Sequence, residues 1–404
     1  MSHRVLFVDE DQERNGSTVS LEYLTDGFAA EGFEVLVLTW KGDPRFADGL
    51  RRHARLIDGR RFGIRNVALS VHFSFTEPLW SWWGIRTFVK DVAKFLGGFA
   101  IALGAIRKTR PDLVYVNEYS AVQAALAARV CGIPAVTHVR SQMLSGTFGV
   151  RRYLLRLLLF ACNQALFAIT KREAGQLRAD KGGKVRVIGE FFPTRSGGSL
   201  NGGAFREACR IPKGNRLIAT LGGIYTLKGT MDFLRAAFLV SGRHNDVVFA
   251  VAGKQYRNGR HHREYYDACM RLAHPLQVNG ALLFLGEIAN PLELIAASDI
   301  LVSPSTVSHF SRPVIEAWGL SKPVIAARLP HMEDLIKDGV SGLLYNPGDY
   351  EGLSRAMLRL LDDTRLADRV AQEGKKKCLA EFDAETNLRN IIETCGDYLH
   401  AHRH

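Results

Sequence analysis
Residues 303–349 read SPSTVSHFSRPVIEAWGLSKPVIAARLPHMEDLIKDGVSGLLYNPGD, and this stretch decides the fold. A polar loop runs into Pro313, where a short helix is expected to begin with Glu316 in its first turn. A strand over Pro323 to Ala327 follows, then an acidic helix start near Glu333 and a turn at Asp338-Gly339. The first N–H groups of a helix are unpaired and lie at the positive end of its dipole, so such a start suits a diphosphate. A carboxylate one turn further on can accept two hydrogen bonds from the cis-diol of a ribose. Together these features predict a site for a nucleotide that carries another group.

Working outward, apolar strand-like runs alternate with helical patterns, the mark of βαβ units and parallel sheets. Val5–Val8, Glu34–Thr39, Asp112–Asn117, Ala135–Val139 and Ala165–Thr170 read as strands, with helices over Ser20–Glu31 and Ser120–Cys131. The alternation restarts with strands at Arg216–Gly222, Val247–Gly253, Leu282–Leu285 and Ile300–Ser303 around a helix at Gly229–Val240. Between the two halves, the Gly/Ser-rich Ser196–Gly203 reads as a linker. The fold class is therefore α/β, with two doubly wound Rossmann-like domains facing a cleft. Residues 1–195 form the first domain, 196–203 the linker and 204–383 the second domain. Ligands in such sheets sit at the carboxyl ends of the strands.

The 303–349 run resembles the donor-site signature of family 4 retaining glycosyltransferases of the GT-B fold. Phe310, Glu316, Ala317, Gly319, Pro323, Val324, Glu333, Gly339, Gly342 and Pro347 fall at matching places. The resemblance implies that Glu316 holds the ribose, while the first glutamate of the family's pair falls on Ser308. Leu221 to Gly229 resembles the family's Gly-Arg…Lys-Gly motif, with Gly222 on its glycine and Lys228 on its lysine, whereas the arginine falls on Gly223. Lysine is a compact point charge suited to a phosphate, and Arg312 is expected to supply the missing guanidinium. The loop Asn15-Gly16-Ser17-Thr18 lies, by resemblance, near the diphosphate and the transferred sugar. Many members carry a sugar-contacting histidine at the position of Arg140. His138, two residues earlier, shares that strand face, so sugar contact and a structural role both stay open for it. The resemblance also implies that the last helix, residues 384–400, packs back on the first domain.

The implied reaction is transfer of a sugar from a UDP- or GDP-type nucleotide sugar to a carbohydrate or lipid-linked acceptor, with anomeric retention, no metal and no cofactor. Asp9-Glu10-Asp11 has the spacing of a metal-binding Asp-x-Asp, but it ends a first strand and reads better as a turn or acceptor contact. A scaffold relative that only binds the donor, and a nucleotide-sugar epimerase, are the alternatives. The epimerase would need acid/base carboxylates that the first half does not single out.

The chain has 404 residues, 47% of them hydrophobic and 23% charged, and a net charge of +12. That charge favours polyanionic partners. No nucleic-acid module appears, and the basic residues are not striped with stacking aromatics, so nucleic acid is not an expected partner. Six scattered cysteines and a first strand beginning near residue 5 point to a cytoplasmic protein without a signal peptide. Trp80, Trp82 and Trp83 precede helical apolar spacing with Arg86, Lys90 and Lys94 beside it. Val150–Leu159 combines Arg151, Arg152 and Arg156 with Tyr153 and leucines. Such helices suit the surface of an anionic membrane, or they pack on the sheet with their arginines in water.

Overall fold
The computed structural model describes residues 2–9, 16–40, 50–59, 67, 69, 80–177, 183–193 and 200–401. Glu10, Asp11, Asn15 and the linker residues 196–199 lie outside them. The chain forms two compact units, residues 1–191 with 384–404, and residues 192–383.

Among the described residues the first unit holds a seven-stranded parallel sheet. Its strands are β1 (Arg4–Asp9), β2 (Glu34–Thr39), β3 (Arg55–Asp58), β4 (Leu113–Val116), β5 (Ala135–Val139), β6 (Ala165–Ala168) and β7 (Val185–Val187). They run in the order β3-β2-β1-β4-β5-β6-β7. Helices α1 (Gly16–Ala30), α2 (Trp82–Thr109), α3 (Val122–Val130), α4 (Val150–Cys162) and α5 (Lys171–Leu177) connect them. The central strands are mostly apolar because helices cover both faces of the sheet. One face packs Leu21, Leu24 and Phe28 of α1, and the other packs Ile101, Ala105 and Ile106 of α2 with the alanines of α3.

The second unit has a six-stranded parallel sheet in the order β10-β9-β8-β11-β12-β13. These strands are β8 (Arg216–Leu221), β9 (Val247–Ala252), β10 (Leu282–Gly286), β11 (Ile300–Ser303), β12 (Val324–Ala327) and β13 (Leu343–Tyr345). The helices are α6 (Gly202–Ala208), α7 (Thr230–Ser241), α8 (Arg260–Val278), α9 (Pro291–Ala297), α10 (Arg312–Gly319), α11 (Pro330–Leu335), α12 (Tyr350–Asp362) and α13 (Thr364–Glu381). Trp318 of α10 is fully buried and donates from its indole N–H to the Ser341 carbonyl at 2.8 Å. Gly374 of α13 leaves the space that this ring fills.

The units divide at Phe191/Phe192, ahead of the Gly/Ser-rich stretch, and Gly202 and Gly203 already lie in α6. The reason is packing, since Phe192 belongs to the core of the second unit and its ring lies over Gly319. The last helix, α14 (Ala384–Ala401), groups with the first unit. Its Leu388 sits so close to α1 that a Cβ on Gly27 would meet it, and Ile391, Cys395 and Leu399 join that core.

Candidate functional site
In each sheet the strand order reverses at one point, between β1 and β4 and between β8 and β11. Loops that leave adjacent strands in opposite directions open a crevice at their carboxyl ends, the usual ligand position of such sheets. In the second unit this crevice is formed by Gly222–Gly229 after β8 and Pro304–Ser311 after β11. The two loops are stitched together: Thr306 N–H donates to the Leu227 carbonyl at 3.0 Å, and its hydroxyl to the Thr226 carbonyl at 3.2 Å. Gly229 has a φ of +65°, and a Cβ there would run into the Pro304 carbonyl, so only glycine permits this approach.

Gly222 and Gly223 also have positive φ, +139° and +72°. A Cβ on Gly222 would press on the methylenes of Lys228, which lie over it. A Cβ on Gly223 would fall 1.9 Å from the Lys254 carbonyl oxygen. This crowding explains why no arginine stands there. The turn is held by the Thr230 hydroxyl, which donates to the Gly223 carbonyl at 2.7 Å.

Lys228 ends a 3₁₀ turn, and burial lowers its ammonium below the ordinary lysine range. Its Nζ lies 3.0 Å from Nε2 of His309. Among the described residues it makes no ion pair. Nearby, Tyr225 and Tyr256 stack with centroids 4.4 Å apart.

Helix α10 opens at Arg312, with Ser311 as N-cap and Pro313 as its second residue. Glu316 is therefore beyond the first turn, a correction to its expected place. Arg312, expected to supply a guanidinium to the diphosphate, begins the same helix. Its Nε donates to Glu316 Oε1 at 2.8 Å, and the side chains are 11% and 12% exposed. The guanidinium is thus joined through Nε to the carboxylate expected to hold the ribose. The Ser308 hydroxyl accepts from the His331 N–H at 3.2 Å at the start of α11 and meets His331 Nδ1 at 2.7 Å. Phe310 packs against Phe382, ring centroids 5.8 Å apart, and anchors the loop to the core.

In the first unit Gly16 is the exposed first residue of α1. His138 is fully buried, with its Nδ1 2.8 Å from the Tyr115 hydroxyl and 3.1 Å from the Arg140 guanidinium. These contacts are those of the structural role, one of the two left open for His138. Arg140 is likewise internal. It pairs with Glu190 at 2.5 Å, and its Nε donates to the Asn117 carbonyl at 3.0 Å. Ser20 of α1 donates to Glu190, and Asn117 donates to buried Asp9 at 3.1 Å. The network ties three strand ends to α1. Glu190 carries no pattern that sequence reading could have used. His309 stood inside the matched run and was passed over.

Burial, with the Arg140 cation beside it, holds the His138 imidazole well below the ordinary histidine range. An unfolded chain protonates this histidine below about pH 6.5 while the folded chain does not. The resulting stability is complete above that pH and falls as pH drops, by up to about 1.4 kcal/mol per unit. His138→Gln is expected to flatten this acid limb in urea titrations across pH 5–7; an unchanged limb would contradict the assignment.

Comparison with known proteins gives a consistent picture. A family model described as glycosyl transferases group 1 matches residues 203–377, and one described as glycosyl transferase 4-like domain matches residues 15–189. The lipopolysaccharide core biosynthesis glycosyltransferase LpsE of Rhizobium meliloti is 24% identical over 202 residues, 50% of this chain and 55% of that protein. Glycogen synthase of Mycobacterium tuberculosis is 22% identical over 381 residues, covering 91% and 87% of the two chains. The crystal structure of Anabaena Alr3699/HepE in complex with UDP superposes with a TM-score of 0.76 at 19% identity, covering 98% of this chain and all of the other. The same protein is also known with UDP and glucose. The fold is thus the two-domain GT-B arrangement.

Proposed function
Because the chain belongs to the family 4 type of glycosyltransferases, we propose that it transfers a sugar from a nucleoside diphosphate to a carbohydrate or lipid-linked acceptor, retaining anomeric configuration without a metal. The observation that carries this reading is the crevice at the β8/β11 reversal, where a half-buried ammonium with no anionic partner among the described residues adjoins the loop leading into α10. Such a cation is stabilised when a diphosphate arrives. The UDP-bound relative supports a UDP-type donor. The second unit then takes the donor and the first the acceptor. An acceptor oxygen bonds to the anomeric carbon as the carbon–oxygen bond to the diphosphate breaks. The leaving phosphate oxygen receives the acceptor's proton on the same face. The protein supplies charge through Lys228 and the α10 N-terminus, Glu316 orients the ribose, and positioning does the rest.

A thermal-shift screen of UDP-, GDP- and ADP-sugars tests the donor. A true donor at a hundredfold excess over its Kd is expected to add about 2.7 kcal/mol of stability. No shift with any of them would reject the reading. NMR of a product made after EDTA treatment then reports configuration and metal independence.

A second observation concerns location. Trp80, Trp82 and Trp83 are 71%, 74% and 61% exposed, and Phe148 is 90% exposed. The Trp80 and Phe148 rings, just ahead of α2 and α4, lie with centroids 6.1 Å apart. Arg86 lies over the Trp83 ring at 5.2 Å. Among the described residues no helix is long and apolar enough to cross a membrane. We propose a cytoplasmic protein resting on the inner membrane face through this patch, with tryptophans in the interface and basic groups on anionic headgroups. The protein is expected to float with anionic liposomes at low salt and to be released at high salt; a protein that stays at the bottom refutes it.

A further inference from the structure
The partner of Lys228 is an imidazole rather than a carboxylate, and this has a chemical consequence. His309 Nδ1 lies 3.0 Å from the Val307 carbonyl. A carbonyl only accepts, so Nδ1 carries the hydrogen and Nε2 offers its lone pair to the Lys228 ammonium at 3.0 Å. Lys228 is thereby fixed at both ends, its stem over the bare backbone of Gly222 and its head on His309. A carboxylate in this place would cancel the charge that a diphosphate needs. A neutral imidazole orients the ammonium and leaves its charge and two hydrogens for the ligand. With Gly223 closed to any side chain, this aimed cation carries more of the task.

We propose that His309 is a positioning residue for the donor diphosphate, holding the Lys228 ammonium ready without neutralising it. The proposal rests on the donor-site reading above. Pre-ordering a flexible cation raises affinity by lowering the entropy lost on binding.

The test is a double-mutant cycle on UDP affinity in the full chain, with a melting curve for each variant to confirm folding. His309→Leu is expected to weaken UDP binding roughly tenfold, the size of a hydrogen bond to a charged group. In a Lys228→Ala background the same change is expected to have less than about a twofold effect, because the group it positions is gone. His309→Gln, whose amide oxygen can stand near the place of Nε2, is expected to stay within about threefold of the parent, whereas His309→Asn, too short to reach, matches His309→Leu. Equal losses with and without Lys228, or a Gln variant as weak as Leu, overturn the proposal while the donor reading stands. A parent protein that binds no UDP, GDP or ADP overturns both.

Discussion

Arg140→Ala is expected to destabilise the first unit by about 3–5 kcal/mol, the penalty of leaving one member of a buried ion pair alone. The guanidinium and Glu190 carboxylate are only 4% and 7% exposed. Removing the arginine takes the cation from the Glu190 carboxylate, the donor from the Asn117 carbonyl and one neighbour from His138. Four of the five tryptophans (40, 80, 82 and 83) belong to this unit, so urea unfolding followed by fluorescence reports on it. The outcome also separates two roles. A sugar-contacting arginine would lower kcat/KM with stability intact, whereas the internal network demands a large stability loss. A loss under about 1 kcal/mol would show that the pair is dispensable.

Lys228→Ala is expected to lower kcat/KM for the nucleotide sugar by a hundredfold or more, roughly 3 kcal/mol, comparable with removing one preorganised donor from a site of developing charge. Charge builds on the diphosphate as the bond to the sugar breaks, and a cation already desolvated and aimed acts there with little reorganisation. Folding should change little, because Lys228 makes no ion pair among the described residues and its removal relieves a partly desolvated charge. Lys228→Arg is not expected to rescue, since its stem runs over Gly222 in a space with no slack for a planar fork. Turnover of donor in a pooled-acceptor assay measures the effect. A variant that keeps more than about a tenth of parental kcat/KM would remove Lys228 from the chemistry.

Much of the fold was legible from periodicity. β2, β5 and β11 occupy the expected residues, and the other strands read from sequence shift slightly at their ends. Most of those strands are buried on both faces, so apolar residues dominate them. β3, β7 and β13 were missed for the converse reason. They are short strands at sheet edges, and β3 and β7 are half-exposed, so no run of apolar residues marks them.

The residue types at the β8/β11 crevice were readable because backbone geometry demands them. Glycine has to stand at 222, 223 and 229 whatever surrounds it, and a lysine at the end of that turn is visible as a motif. Which groups those side chains face was decided by the fold alone. Lys228 and His309 are 81 residues apart, and Arg140 and Glu190 are 50 apart. Parallel pairing of β8 with β11 makes the first contact, and the position of Glu190 beyond β7, beneath α1, makes the second. Local sequence carries strand, turn and helix preferences because those depend on near neighbours. The partners of a buried charge depend on the order in which distant strands assemble, and that order sets Arg140 and His138 in one hydrogen-bonded network of the first unit.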